Sequence, residues 1–182
     1  MTNLVGVEAS IAPTVIAEAA GGDAAALERI VRRYHDDMTG VCVVICGGDA
    51  DLAQDAVQAA WPIAWRRLGT LRDPDRLRPW LVSIAANEAR QVLRRRRIQV
   101  VAEIKAIDPD TRNADPAGKL DLADLATALR RLKPEDRALL ALRYVAELDS
   151  DEIGRALGIS ASGARSRLER LLLRLRKELQ DG

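Results

Sequence analysis

The chain is 182 residues long and 48% hydrophobic, with 28 basic and 27 acidic side chains and a formal net charge of +1. That length fits two small domains or one larger one, and the balance of apolar and charged residues excludes an unfolded, highly charged polymer. Near-neutral charge also excludes any partnership driven by overall charge, so affinity for a polyanion would have to come from charge segregated into patches; residues 90–97 and 165–177 are such patches.

There is no Phe, and only three Trp and two Tyr are present. Cores must then be built from Leu, Ile, Val and Ala, which suits packed helices better than sandwiched sheets, so an all-α chain is expected. Near the N-terminus the apolar run Ile11–Ala20 has no Lys or Arg before it, is flanked or interrupted by Glu8 and Glu18, and is broken by Pro13. It does not read as a secretory signal, and no apolar run reaches the length needed to cross a bilayer. Residues 1–22 are expected to form a loosely ordered tail, ending at Gly21-Gly22 before a capping Asp23.

From Ala24 to Ile45 the positions Leu27, Ile30, Val31, Tyr34, Met38, Val41, Cys42 and Ile45 follow one helical stripe. Cys42 and Cys46 are four apart, but structural zinc needs four ligands and the only histidine, His35, lies two turns away on another face. Small buried thiols are the expectation, with no metal or other cofactor, and His35 is expected at the surface. Gly47-Gly48-Asp49 stops this helix and a second runs over about 50–68, with Leu52, Ala56, Val57, Ala60, Ile63 and Ala64 able to face inward. Its other side carries Asp55, Gln58, Trp61 and Trp65, which can be ordinary packing or an interface anchor. Pro62 inside it removes an N–H and crowds the preceding turn, at a cost of about 3 kcal/mol unless a kink relieves it.

Residues 69–75 are turn formers and charges, hence an exposed loop. A third helix is expected over 76–97, with Leu77, Leu81, Ile84, Ala85, Ala89 and Val92 inward. Arg90 and the run Arg94, Arg95, Arg96 and Arg97 close it. Four consecutive arginines surround the whole circumference, so they either cap the negative end of the helix dipole or neutralise phosphates. From 98 to 119 periodicity weakens and Asp108-Pro109-Asp110 and Asp115-Pro116-Ala117-Gly118 interrupt it, which marks a linker, although 98–107 could extend the helix.

A second domain over 120–182 opens with Leu122, Leu125, Leu129 and Leu132 on one face, and Pro134 suits the first turn of the next helix, where Leu139, Leu142 and Val145 can meet them. Asp149 and Glu152 form a capping-box pattern, Ile153, Ala156 and Leu157 recur at helical spacing, and Gly158 supplies the left-handed residue that ends the helix. Ser160 can cap the last helix, whose buried stripe is Ala164, Leu168, Leu171, Leu175 and Leu179, with Arg165, Arg167, Arg170, Arg174, Arg176 and Lys177 pointing largely elsewhere. A helix pair closed by a short glycine turn is a helix-turn-helix, whose second helix enters the major groove N-terminus first. Gly163 lowers helix propensity there, and Leu172 and Leu173 either pack on the helix at 122–132 or widen an apolar surface.

Asp151-Glu152-Ile153-Gly154, Leu157-Gly158-Ile159-Ser160 and Arg165-Ser166-Arg167-Leu168 resemble the minus-35-reading domain of extracytoplasmic-function (ECF) sigma factors of the sigma-70 family. Ser160, Ser162, Arg165, Ser166, Arg167 and Arg170 are the DNA contacts this implies. Asp55, Gln58, Trp61 and the Trp65-Arg66 pair resemble the segment that docks on the beta-prime clamp helices of RNA polymerase, implying contacts from Asp55, Gln58, Trp61 and Arg66; Ala59, where relatives have an acid, and Pro62 depart from the pattern. The run Arg78-Pro79-Trp80-Leu81-Val82-Ser83-Ile84-Ala85-Ala86-Asn87, then Leu93 and the arginines, resembles the segment that opens and reads the minus-10 element, with Val82 and Gln91 as departures. It implies DNA contacts from Asn87, Arg90, Arg94, Arg95 and Arg97, and a base pocket in the 69–75 loop.

The expectation is therefore an all-α protein of two small helical domains, 23–97 and 120–182, joined by a 98–119 linker, the second a four-helix domain ending in a helix-turn-helix. The resemblance implies a sigma factor, not an enzyme, acting in the bacterial cytoplasm. Its implied partners are core RNA polymerase (beta-prime clamp helices and beta flap), promoter DNA and an anti-sigma protein. An autonomous helix-turn-helix regulator and a helical polymerase-binding protein that starts no transcription are the alternatives.

Overall fold

A computed structural model of the chain describes residues 11–104 and 130–180, and among them the regular structure is entirely helical. The first helix, α1 (Pro13–Ala20), lies in what the sequence suggested was a loose tail. Pro13 does not break it but starts it, because a proline at the first helical position loses only an N–H that has no intrahelical partner anyway. Val15, Ile16 and Ala19 then face the core, which holds the segment down. Residues 1–10 lie outside the described residues.

Helix α2 (Ala24–Ile45) is capped by Asp23, whose carboxylate accepts from the Ala26 N–H at 2.6 Å, and buries a stripe from Ala26 through Ile30, Tyr34, Met38 and Val41 to Ile45. Asp49 caps α3 (Ala50–Arg67) in the same way, on the Leu52 N–H. The buried face of α3 is small, Ala53, Ala56, Val57, Ala60 and Ala64, so α2 and α4 can approach it closely, and the larger Leu52 and Ile63 are only half-buried at its margins. Pro62 does not end this helix. It is exposed, so the carbonyl deprived of a donor can be hydrated.

Two short 3-10 turns, Leu68–Thr70 and Pro74–Arg76, make up most of the 69–75 loop. Helix α4 (Leu77–Ile104) continues seven residues past Arg97, the extension into 98–107 that the sequence left open. The rest of the expected linker and the leucine-rich helix at 122–129 lie outside the described residues. The second module resumes at Arg130 and contains α5 (Pro134–Leu140), a π-helical turn (Ala141–Val145), α6 (Ser150–Leu157) and α7 (Ala161–Gln180).

The two modules are packed together. Helix α2 lies against α5 and the π-helical turn, α4 lies against α5 and α6, and a single buried cluster runs from Val15 to Leu175. Arg137 of α5 is only 7% exposed: its Nε donates to the Ile45 carbonyl at the end of α2 (2.6 Å), and its Nη1 to the Leu132 (2.9 Å) and Arg130 (3.3 Å) carbonyls. Burial lowers its pKa from the usual guanidinium value, but a guanidinium remains charged, and here it complements the negative end of the α2 dipole. Arg78 of α4 holds Asp37 through Nε at 2.7 Å and reaches across to the Ala146 carbonyl at 2.6 Å.

Cys42 and Cys46 are both buried and free, the Cys42 Sγ donating to the Ala85 carbonyl at 3.5 Å. Burial first, then the neighbouring Cys46, pushes the Cys42 thiol up to about 12; burial and Asp49, opposed by Arg137, push Cys46 up to about 11. Raised values keep both as neutral thiols at pH 8, and the thiolate is the reactive form. A thiol reagent at pH 8 should therefore label the folded chain slowly and the denatured chain within the mixing time, as followed by absorbance. Equal rates in the two states would contradict the burial.

Candidate nucleic-acid interface

The helix-turn-helix is assembled by local hydrogen bonds. Asp149 Oδ1 accepts from the Glu152 N–H at 2.8 Å and Glu152 Oε2 accepts from the Asp149 N–H at 3.0 Å, so α6 starts with a complete capping box. It ends at Gly158, at φ 69°, and the Ile159 N–H returns to the Gly154 carbonyl at 2.9 Å. Ser160 then caps α7 by accepting from the Gly163 N–H at 3.0 Å. Sequence reasoning missed what Gly154 does. A Cβ there would sit 2.8 Å from the Ile159 carbonyl oxygen and 3.2 Å from the Ala161 nitrogen, so the absence of a side chain is what lets the turn fold back on α6.

Helix α7 buries Ala164, Leu171 and Leu175, with Leu168 half-buried, and leaves Ser162, Arg165, Ser166, Arg167 and Arg170 exposed, as is Ser160 before it. Positions two apart on a helix differ by about 200°, so Arg165 and Arg167 leave on opposite flanks, while Ser162, Arg165 and Ser166 share a face. Arg170 bonds back to the Ser166 carbonyl, and Arg174 is tied to Asp136 at 2.7 Å, which removes it from that face's free charge. Leu172 is half-buried against the core and Leu173 is 63% exposed.

On α4, Asn87, Arg90, Arg94 and Arg97 fall on one stripe and line a cleft of about 850 Å³. Arg67 and Lys133 join them there, two cations the sequence did not single out because they come from α3 and from the start of the second module. Glu88 and Glu135 temper the charge. Arg95 points off this stripe and bonds Gln91, and Arg96 is paired with Asp49 at 3.3 Å. Asn87 is half-buried: it donates to the Ala156 carbonyl of α6 at 3.3 Å and accepts from Arg90 at 3.1 Å. The 69–75 loop does line a cavity, of about 430 Å³, and Glu152, Arg155 and Ala156 of α6 form part of its wall.

A third surface is the outer face of α3. Asp55, Gln58 and Arg66 are exposed, Trp65 is 44% exposed, and Trp61 is half-buried at the margin, where its indole N–H donates to His35 Nδ1 at 3.3 Å. His35 is thus exposed, as expected, and positions an aromatic. No group of three or more His, Cys, Asp or Glu among the described residues could hold a metal.

A helix-turn-helix on one module, an arginine stripe on the other and an exposed helix face bearing Asp55, Gln58 and Trp65 mark the class of helical nucleic-acid-binding proteins. Residues 30–98 match the family described as Sigma-70 region 2, and residues 122–175 match Sigma-70, region 4. The chain is 35% identical over 135 residues to the RNA polymerase sigma factor CarQ of Myxococcus xanthus, covering 70% of this chain and 75% of CarQ. It is 31% identical over 169 residues to the probable RNA polymerase sigma factor RfaY of Xanthomonas campestris, covering 88% of this chain but only 42% of that longer relative. Its fold is similar to that of CnrH, solved in complex with the cytosolic domain of CnrY, with a TM-score of 0.66 and 25% identity over 92% of this chain and 96% of that one. The chain belongs to the sigma-70 family of RNA polymerase sigma factors, and within it to the ECF type.

Gly154→Ala should destabilise the chain by about 1–3 kcal/mol, the usual cost of overpacking, because the atoms it meets are backbone and cannot rotate away. Thermal unfolding of the variant beside the parent chain measures this, and an unchanged midpoint would show that the turn has room to spare.

Proposed function

We propose that this chain is a dissociable RNA polymerase subunit that directs the core enzyme to promoters and helps open the DNA there. The observation that carries the reading is the presence of two basic surfaces on two family-matched modules, one on α7 and one on α4, in a chain whose net charge is only +1. Binding that relies on such patches falls steeply with salt, since each phosphate contact releases counterions.

Ser160, Ser162, Arg165, Ser166, Arg167 and Arg170 are the proposed minus-35 contacts, with Arg165 best placed to offer a planar guanidinium fork to a guanine edge. Asn87, Arg90, Arg94, Arg95 and Arg97 are the proposed minus-10 contacts, with the 69–75 loop holding a base turned out of the stack. Asp55, Gln58, Trp61 and Arg66 are proposed to dock on the beta-prime clamp helices, and the beta flap is proposed as a second contact on the polymerase. The chain carries out no chemistry of its own in this scheme; bond formation belongs to the core enzyme, and the place of action is the bacterial cytoplasm. An anti-sigma protein is proposed as a further partner, in line with a CnrH-like fold that was solved with a bound partner.

An autonomous repressor would bind its operator without polymerase, and a sequestering protein would bind polymerase without starting transcription. Transcription from a set of promoter fragments by purified core polymerase, with and without the chain, separates these readings. Promoter-specific start sites that depend on the chain are expected, and their absence at low and moderate salt with folded protein would overturn the proposal. Arg165→Ala should weaken binding to the upstream element by about 1–3 kcal/mol if it reads a base; unchanged affinity and sequence preference in a shift assay would strike Arg165 from the contacts. Gln58→Lys should reduce capture of core polymerase with the helical content intact, and normal capture would move the interface elsewhere.

A further inference from the structure

Two cavities adjoin at Arg67. The smaller, of about 430 Å³, is lined by Leu71, Pro79, Trp80 and Ile84 together with the carboxylates of Asp73 and Glu152. The larger, of about 850 Å³, is lined by Arg90, Arg94, Arg97 and Lys133, with Glu88 and Glu135 as its acids. Arg67, Ile84 and Asn87 line both, so the two spaces are neighbours. Each falls within the roughly 300–1,000 Å³ of small-molecule sites, which favour junctions between modules.

The cations here are not consumed by the fold. The guanidinium groups of Arg67, Arg72, Arg94 and Arg97 have no hydrogen-bond or ion-pair partner among the described residues. Arg90 and Arg94 are four apart on α4 and Arg94 and Arg97 three apart, spacings at which like charges repel and cost helix stability. A bound anion removes that cost. The smaller cavity has a different chemistry. Trp80 is half-buried, and its indole N–H meets no acceptor among the described residues; with the apolar side chains around it, it offers a planar ring a wall. Asp73 and Glu152 each accept one backbone N–H, from Asp75 and Asp149. A carboxylate has capacity for further donors, such as the exocyclic amino group of a nucleobase.

We propose that the adjoining cavities form one binding site for a free nucleoside triphosphate. The base lies in the smaller cavity against Trp80, and the phosphate chain passes Arg67 towards Arg90 and Arg94. Charge matches at both ends: acids stand where the base brings donors, and arginines, whose forks hold phosphate oxygens in pairs, stand where the phosphates bring acceptors. The site belongs to the free chain and needs neither polymerase nor promoter, so it does not rest on the sigma reading. Because Arg90 and Arg94 are also proposed DNA contacts, a bound nucleotide competes with promoter DNA for them.

Calorimetric titration of the full chain at low salt with adenosine triphosphate, guanosine triphosphate, inorganic tripolyphosphate and adenosine tests this. At least one of the two nucleotides should bind saturably, one per chain, and about tenfold or more tighter than tripolyphosphate, with adenosine weaker than either. No nucleotide binding overturns the proposal. So does tripolyphosphate binding as tightly as both nucleotides, which would leave only a patch for polyanions. Arg67→Ala should weaken nucleotide and tripolyphosphate alike by about tenfold, the loss of one charge-assisted contact. Arg32→Ala removes the same charge from an exposed pair with Glu28 outside both cavities and should change neither. An equal effect of these two variants would mean bulk electrostatics and no site. Trp80→Leu should abolish the margin of nucleotide over tripolyphosphate. Thr70→Trp, at an exposed position lining the smaller cavity, should do the same by filling it, without disturbing the core. A margin retained in whichever of these variants keeps its helical content overturns the placement of the base.

Discussion

A buried guanidinium bound to backbone carbonyls holds this molecule in its observed form. Arg137 is 7% exposed and satisfies its charge with the carbonyls of Ile45, Leu132 and Arg130. A hydrogen bond to a charged group contributes about 1.5–3 kcal/mol, so these contacts together can offset the cost of taking the group out of water. Because the Ile45 carbonyl belongs to the last turn of α2, the bond also answers a group that no helix can satisfy by itself. The end of one module's longest buried stripe thereby becomes the docking point of the other. Gly47, at φ 71°, lets the chain turn away at that point, and a Cβ there would stand 3.5 Å from the guanidinium carbon.

The surfaces follow from the same packing. The buried face of α3 is nearly all alanine, so its large side chains, Trp61 and Trp65 among them, fall on the outer side or its margin beside Asp55 and Gln58. On α4 the stripe that begins with buried Leu77 and Leu81 gives way after Ala89 to half-buried and then exposed residues, which is where the arginines lie. Charge of one sign is concentrated by burial of everything around it. Where an acid is close the charge is spent locally, as in Arg96 with Asp49 and Arg174 with Asp136. Arg165 and Arg167 have no such partner among the described residues.

The parts that were legible in the sequence are those whose cause is local. Asp23, Asp149 and Ser160 each cap the helix they precede, and Gly158 takes the left-handed conformation that ends α6, while Asp49, read only as part of a helix stop, also caps α3. The stripe over α2 was readable because a period of 3.6 residues needs no knowledge of the partner face. Pro13 was misread because a proline is a breaker inside a helix and a starter at its first position, and burial of Val15, Ile16 and Ala19 decided between the two. The π-helical turn at Ala141–Val145 and the positive φ of Glu147 after it had no sequence signal, since both serve the return of the chain under α6 and the Leu148 N–H bond to the Leu142 carbonyl. Gly154 stood in a quoted motif, yet the 2.8 Å approach that requires it is visible only once the turn is built.

By itself the amino-acid sequence determined the helical class, the caps, the helix-turn-helix and the residues whose pattern marks a sigma factor, because each depends on neighbours within about one or two turns. Only the tertiary structure decided that α1 belongs to the core, that α4 passes residue 97, and that Asn87 faces Ala156 across 69 positions of chain. Contacts of that kind depend on which faces remain to be covered after every helix has formed. That is a property of the assembled surfaces, and no periodicity along the chain encodes it.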